Sequence, residues 1–104
     1  MTDLTLHVLL ALGAGPAHGY AIGKDIEARS GGRLDPTTGA LYQVLRRLAA
    51  DGVIRPVRPP AAASGDARRK YFALTPRGRE AAAGELSRLQ AIVETGRKRR
   101  LHRA

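Results

Sequence analysis

The sequence predicts a mainly α-helical chain that carries one small β-hairpin. Three observations lead there. Apolar residues recur at helical spacing in four segments. Glycine and proline separate these segments at Gly13 to Pro16, at Gly31-Gly32 and at Gly52. Two short runs, Val53 to Val57 and Lys70 to Leu74, flank a polar loop rich in proline and glycine. The chain has 104 residues, 43% of them hydrophobic and 26% charged, a globular balance that suits one ordinary domain or a small domain with an extension.

The elements follow in order. Leu4, Leu6, Val8, Leu9, Leu10 and Leu12 make a first short helix, with Thr2 or Asp3 as its cap. It is apolar nearly all round, which places it centrally in the core. A second helix runs from Ala17 or His18 to Arg29, with Ala21, Ile22, Ile26 and the stem of Arg29 inward, and His18 caps or flanks it. Asp35-Pro36 reads as the start of a third helix, Asp as N-cap and Pro at the first helical position. That helix continues to about Asp51, and Leu41, Val44, Leu45 and Leu48 recur at amphipathic spacing. The two strands come next, with Phe72 and Leu74 on one face of the second and Tyr71 and Ala73 on the other. Thr75-Pro76 repeats the cap-and-proline start, and the fourth helix extends to about Thr95, before Gly96. The tail from Arg97 to Ala104 has five basic residues and no acid, and is expected to fray.

Charge placement narrows the function. The net charge is +9, yet residues 1–54 balance five basic against five acidic groups, and residues 55–104 hold the whole excess. Such asymmetry points to a polyanionic partner, nucleic acid or an anionic membrane. The helices lack the Lys-flanked aromatic face of an interfacial anchor, which counts against the membrane. No run reaches the roughly 18 apolar residues of a membrane span. The start, Met1-Thr2-Asp3-Leu4, lacks the basic region of a signal peptide. Cysteine is absent, which removes disulfides, thiolate nucleophiles and Cys-based metal sites. These features fit a cytoplasmic protein. His7, His18 and His102 match no metal spacing, and no phosphate loop, nucleophile elbow or carboxylate pair stands out. The expectation is a non-enzyme without cofactor or metal. His7 reads as a core or interface histidine.

Three helices followed by a hairpin is the winged helix-turn-helix plan, in which the third helix reads the major groove. Opposite its leucines that helix presents Thr38, Gly39, Tyr42, Gln43, Arg46 and Arg47. Gly39 inside a helix costs about 1 kcal/mol relative to Ala. It serves either close approach to DNA or close packing on the second helix. Gln43 is suited to adenine or is simply solvated. Tyr42 bonds a phosphate or covers the core rim. The loop carrying Arg58, Arg68, Arg69 and Lys70 is the candidate wing, or else a solvated basic loop. On the fourth helix Ala82, Leu86, Leu89 and Val93 form a heptad-like seam. With Ile92 they exceed what a three-helix body can cover, so they pair with a second copy, pack on the first helix, or both.

Several blocks resemble the PadR-like transcriptional regulators. They are Leu9 to Leu12, Gly15 to Ile22, Thr38 to Leu48, Asp51 to Ile54 and Arg69 to Gly78, within residues 4 to 80. His18-Gly19-Tyr20 together with Thr38-Gly39-Ala40-Leu41-Tyr42 is the specific part. The residue reading divides the chain into a winged-helix domain over 1–75, a C-terminal helix over 76–96 and a basic flexible tail over 97–104, and the resemblance implies that the C-terminal helix lies in a dimer interface. It implies a homodimeric repressor bound to a pseudo-palindromic operator in double-stranded DNA. DNA contacts are implied from Tyr20, Thr38, Gly39, Tyr42, Arg68, Arg69 and Lys70, to which the residue reading adds Lys24, Thr37, Gln43 and Arg46. Leu6, Leu10, Ala82, Leu86, Leu89 and Val93 are the candidate dimer interface. The single C-terminal helix matches a short-tailed subgroup, and the absence of Trp argues against an aromatic stacking pocket. A small-molecule effector is expected between the body and the fourth helix. The competing reading is a winged-helix protein-interaction module without specific DNA readout.

Overall fold

A computed structural model describes residues 1–60 and 69–103. Helix α1 spans Asp3–Gly13, and the Thr2 hydroxyl caps it by accepting from the Thr5 N–H at 3.2 Å. Its apolar girdle makes it the centre of the body. Leu6, Val8, Leu9, Ala11 and Leu12 are buried. Helix α2 spans Gly19–Arg29 and inserts Ile22 and Ile26 into the same core. Arg29 fastens it to α1 by donating to the His7 carbonyl at 2.9 Å and to His7 Nδ1 at 3.0 Å, while within α2 it also donates to Asp25 at 2.7 Å. A guanidinium can only donate, so Nδ1 of His7 accepts. Helix α2 ends at Ser30. Gly31 and Gly32 follow at φ 64° and 82°, the left-handed backbone that glycine adopts without steric cost.

Helix α3 spans Thr38–Ala50 and buries Leu41, Leu45 and Leu48. Its start corrects the expectation from Asp35-Pro36. Those residues lie in the preceding connection, and Thr37 is the cap, accepting from the Ala40 N–H at 3.1 Å. Ser30 holds the connection with bonds to the Leu34 N–H at 3.0 Å and carbonyl at 3.3 Å, and the helix begins only after it.

The hairpin consists of β2, Ile54–Val57, and β3, Tyr71–Leu74, paired with Ile54 opposite Leu74 and Val57 opposite Tyr71. A third strand was not expected. Ala17–His18, assigned above to the start of the second helix, forms β1 and pairs with β3, giving the order β1-β3-β2. Ala17 faces Phe72 and His18 faces Tyr71. The hairpin is thereby stitched to the entrance of α2. Pro56 sits on an outer strand, where its missing N–H costs least.

Helix α4 spans Pro76–Lys98 with Thr75 as cap. It passes through Gly96, so Arg97 and Lys98, expected in a flexible tail, are helical. The turn closes two residues later, where Arg100 takes a left-handed φ of 59° and the Leu101 N–H donates to the Gly96 carbonyl at 2.9 Å. The first turns of α4 are locked to the hairpin. Thr75 accepts from the Gly78 N–H at 3.0 Å and donates to the Gly52 carbonyl at 2.7 Å. A Cβ on Gly78 would lie 1.9 Å from the Val53 carbonyl oxygen, an impossible approach. Gly78→Ala must therefore push α4 off the hairpin. A loss of about 1–3 kcal/mol is expected, read as a lower urea midpoint at unchanged slope.

Candidate nucleic-acid interface

The exposed side of α3 is built by its amphipathic register. Burying Leu41, Leu45 and Leu48 turns Thr38, Gly39, Tyr42, Gln43, Arg46 and Arg47 to solvent. Thr37 is exposed at the helix start. Across a cleft, Tyr20 and Lys24 of α2 stand beside Thr38 and Tyr42. The structure thus brings the candidates of the two helices onto one surface.

Two glycines explain its shape. Position 39 has open space around a would-be Cβ, so tight packing on α2 is not its purpose. A helical glycine there leaves the backbone bare toward solvent, which fits a partner approaching closely. Gly19 has the opposite environment. Its would-be Cβ meets the Tyr42 hydroxyl at 2.6 Å and Cζ at 2.9 Å. The Tyr42 ring lies over this glycine, so the pairing of His18-Gly19-Tyr20 with the tyrosine of α3 is a packing relation between two helices.

The wing side meets this surface at His18. Its Nδ1 accepts from the Ala21 N–H at 3.1 Å and caps α2. Its Nε2 lies 3.0 Å from Arg69 Nη1. Tyr71 meets the ring edge-on at 5.1 Å, and Tyr20 stacks on it at 6.4 Å. Lys24 and Arg69 each sit 5.6 Å from the centre of the Tyr20 ring, within cation–π range. Desolvation, then the positive charge of Arg69, holds the His18 pKa below the ordinary histidine value. Lys70 is exposed beside Arg69, and Arg58 is exposed at the end of the other strand. Arg68 lies outside the described residues. Sequence reading left His18 out of the candidates because a lone histidine at a helix start carries no charge pattern. The three-residue run around it was the available signal.

The interface candidates separate into two groups. Leu6 and Ala82 are 8% and 9% exposed and are covered by this chain itself, which corrects their assignment to a partner. Leu89 is half-buried, whereas Leu10, Leu86 and Val93 are 36%, 42% and 53% exposed. Ile92 joins them at 54%. Helix α4 packs its first half on α1 and runs on beyond the body.

Among the described residues no cluster of three or more His, Asp or Glu could hold a metal ion, and no helix is long and apolar enough to cross a membrane. A helix with an exposed polar face, a paired helix in front of it and a hairpin stitched to their entrance define a winged helix-turn-helix protein. The model of the transcriptional regulator PadR-like family matches residues 8–84, and the chain belongs to that family, whose members regulate transcription and are not enzymes. A 37.1 kDa protein in transposon TN4556 of Streptomyces fradiae is 46% identical over 78 residues, 75% of this chain. The match spans 20% of that protein's length. A PadR family regulator from Clostridium difficile R20291 has the same fold at TM-score 0.77 and 22% identity, over 93% of this chain and 97% of its own. Bacillus subtilis PadR, solved in complex with operator DNA, follows at TM-score 0.67 and 21% identity, over 82% of this chain and 47% of its own.

Two substitutions are expected to separate stability from recognition. Gly39→Ala should raise stability by up to about 1 kcal/mol and weaken DNA binding. Gly19→Ala should leave the urea midpoint nearly unchanged, because the flexible tip of Tyr42 swings aside, and weaken binding as much as Tyr42→Ala. Unfolding and duplex titrations of both variants check this. Acid should also destabilise the fold through His18. With its folded pKa lowered, the native state holds fewer protons than the unfolded one just below about pH 6.5, so stability falls as pH drops through that window. His18→Asn should remove that share of the loss, as urea midpoints at about pH 5 and about pH 7.5 would show.

Proposed function

We propose that this protein is a homodimeric, operator-binding repressor. The observation that carries the reading is the bare, exposed backbone at Gly39 in the midst of Thr38, Tyr42, Gln43 and Arg46. A bulky partner seated there gains close contact that a Cβ would deny. In this reading α3 enters the major groove with Gln43 and Arg46 at base edges, and Thr37 and Thr38 at the flanking backbone. Tyr20, Lys24, Arg69 and Lys70 hold phosphates, with Arg68 as a further wing contact. Affinity then comes chiefly from phosphates and falls steeply with salt. That Bacillus subtilis PadR was solved in complex with operator DNA supports the DNA-binding reading.

Dimerisation follows from the uncovered strip of Leu10, Leu86, Ile92 and Val93, with half-buried Leu89 beside it. Burying each such side chain against a second copy is worth roughly 1–2 kcal/mol. Two-fold pairing through residues 76–96 would set two reading helices about 34 Å apart, one duplex turn. Release by a small molecule is the finest part of the proposal. A hollow walled by Leu9, Val44, Leu48 and Val53, with Arg47 and Asp51, lies between α1, α3 and the start of α4. A ligand there would touch the reading helix from behind. The setting is cytoplasmic, where DNA is met.

The test is a titration against DNA upstream of the protein's own coding region, with random competitor and at two salt concentrations. Two protomers bound tightly despite competitor support the regulator. Equal, salt-labile binding to every sequence supports the protein-interaction module instead. Leu86→Asp should yield folded monomers in sedimentation and at least about tenfold weaker operator binding.

A further inference from the structure

We infer that His18 is a backbone contact of the DNA interface, its Nε2–H and the Arg69 guanidinium together forming a two-donor notch for one phosphate oxygen at the seam between α2 and the wing. The inference rests on the DNA-binding reading above and adds a residue that neither charge nor exposure singles out.

Counting protons carries the argument. The Ala21 N–H lies 3.1 Å from His18 Nδ1, and a backbone N–H can only donate. Nδ1 must therefore present its lone pair, which puts the proton of the neutral ring on Nε2. Nε2 in turn lies 3.0 Å from Arg69 Nη1, and a guanidinium has no acceptor. Two donors face each other. The other tautomer only moves the conflict, since Nδ1–H would then confront the Ala21 N–H and α2 would lose its cap. The doubly protonated ring has both conflicts at once, in keeping with the lowered pKa. No protonation state of the ring satisfies both neighbours. An anionic oxygen that accepts from Nε2–H and from Arg69 does so and leaves the cap intact.

The surroundings select the anion. The histidine cannot easily turn away, because β1 holds its backbone opposite Tyr71, whose ring also meets the imidazole edge-on. Lys24 and Arg69 flank the neighbouring Tyr20 ring, so two cations and a neutral donor surround one exposed tyrosine. Tyr20 and Lys24 also line the cleft that Thr38 and Tyr42 share. The notch is thus continuous with the face of α3, where a duplex seated on that helix carries its own phosphates past it. Such a contact sets the protein's register on the duplex and reads no sequence.

The test uses a fluorescein-labelled duplex of mixed sequence, about 30 base pairs or three turns long. Anisotropy titrations across a range of KCl concentrations compare the wild type with His18→Asn, Arg69→Gln and the double variant. Asparagine is a strong N-cap but has no donor at the Nε2 position. His18→Asn is expected to weaken binding about 3- to 10-fold with the salt slope unchanged, because a neutral donor displaces no counterion. Arg69→Gln is expected to weaken binding and flatten the slope by about 0.9. The double variant should lose less than the product of the two losses. Equal affinity of His18→Asn and wild type overturns the inference while leaving the DNA-binding reading intact. A wild type that does not bind the duplex overturns that reading itself. A second measurement needs no variant. In ¹⁵N spectra of the wild-type imidazole, saturating duplex should shift Nε2 and protect its proton while Nδ1 stays unprotonated, and an unmoved Nε2 overturns the inference.

Discussion

Helix α4 touches the hairpin through a glycine pressed against the Val53 carbonyl, and the arrangement of the whole molecule depends on that contact. No side chain fits between Gly78 and Val53. Thr75 bridges the same junction, capping α4 with one lone pair and donating its proton to Gly52. Two polar groups, the Gly52 carbonyl just after α3 and the Gly78 N–H in the first turn of α4, are met by one hydroxyl. The direction in which α4 leaves the body is therefore set by backbone contact, which is stiffer than any packing of side chains. The strip of Leu86, Ile92 and Val93 points where this junction aims it.

A second constraint ties the reading elements to each other. Two residues, Ala17 and His18, pair with β3 and at the same time open α2. One short segment thus fixes the hairpin and the reading pair in a common frame. Arg29 does the corresponding work on the far end of α2, holding the carbonyl and ring of His7. Helix α2 is pinned at both ends while its middle is held by Ile22 and Ile26, so the surface shared by Tyr20, Lys24 and α3 is preorganised.

Much of this was legible in the residues. Periodicity placed the helices, because local spacing reveals the apolar faces they bury, and the polar loop rich in proline and glycine placed the two strands on either side of it. The Thr75-Pro76 start of α4 was read correctly, since both the cap and the proline act within one turn. The same rule failed at Asp35-Pro36. There the connection is held by Ser30, from the end of the previous helix, and the next threonine takes the cap. Strand β1 was invisible because two residues have no alternation, and its partner lies more than fifty positions away. Leu6 and Ala82 looked like interface residues because sequence cannot say which side of an apolar helix its own chain will cover. Gly39 and Gly19 look alike in the sequence, yet one faces open space and the other a tyrosine. Only the packing of α2 on α3 separates them.

The length of α4 gives the junction at Gly78 a mechanical meaning. A helix of 23 residues is about 34 Å long, and this one is held at its start by the hairpin and along its first half by α1. Its free half is a lever whose fulcrum is the body. A sideways displacement of about 3 Å at the free end corresponds to a rotation of about 10° where the free half, about 17 Å long, leaves the body. The strand that receives the rotation also carries, through β1, the entrance to α2. Whatever grips the far end of α4 therefore has a stiff shaft to the opposite side of the molecule.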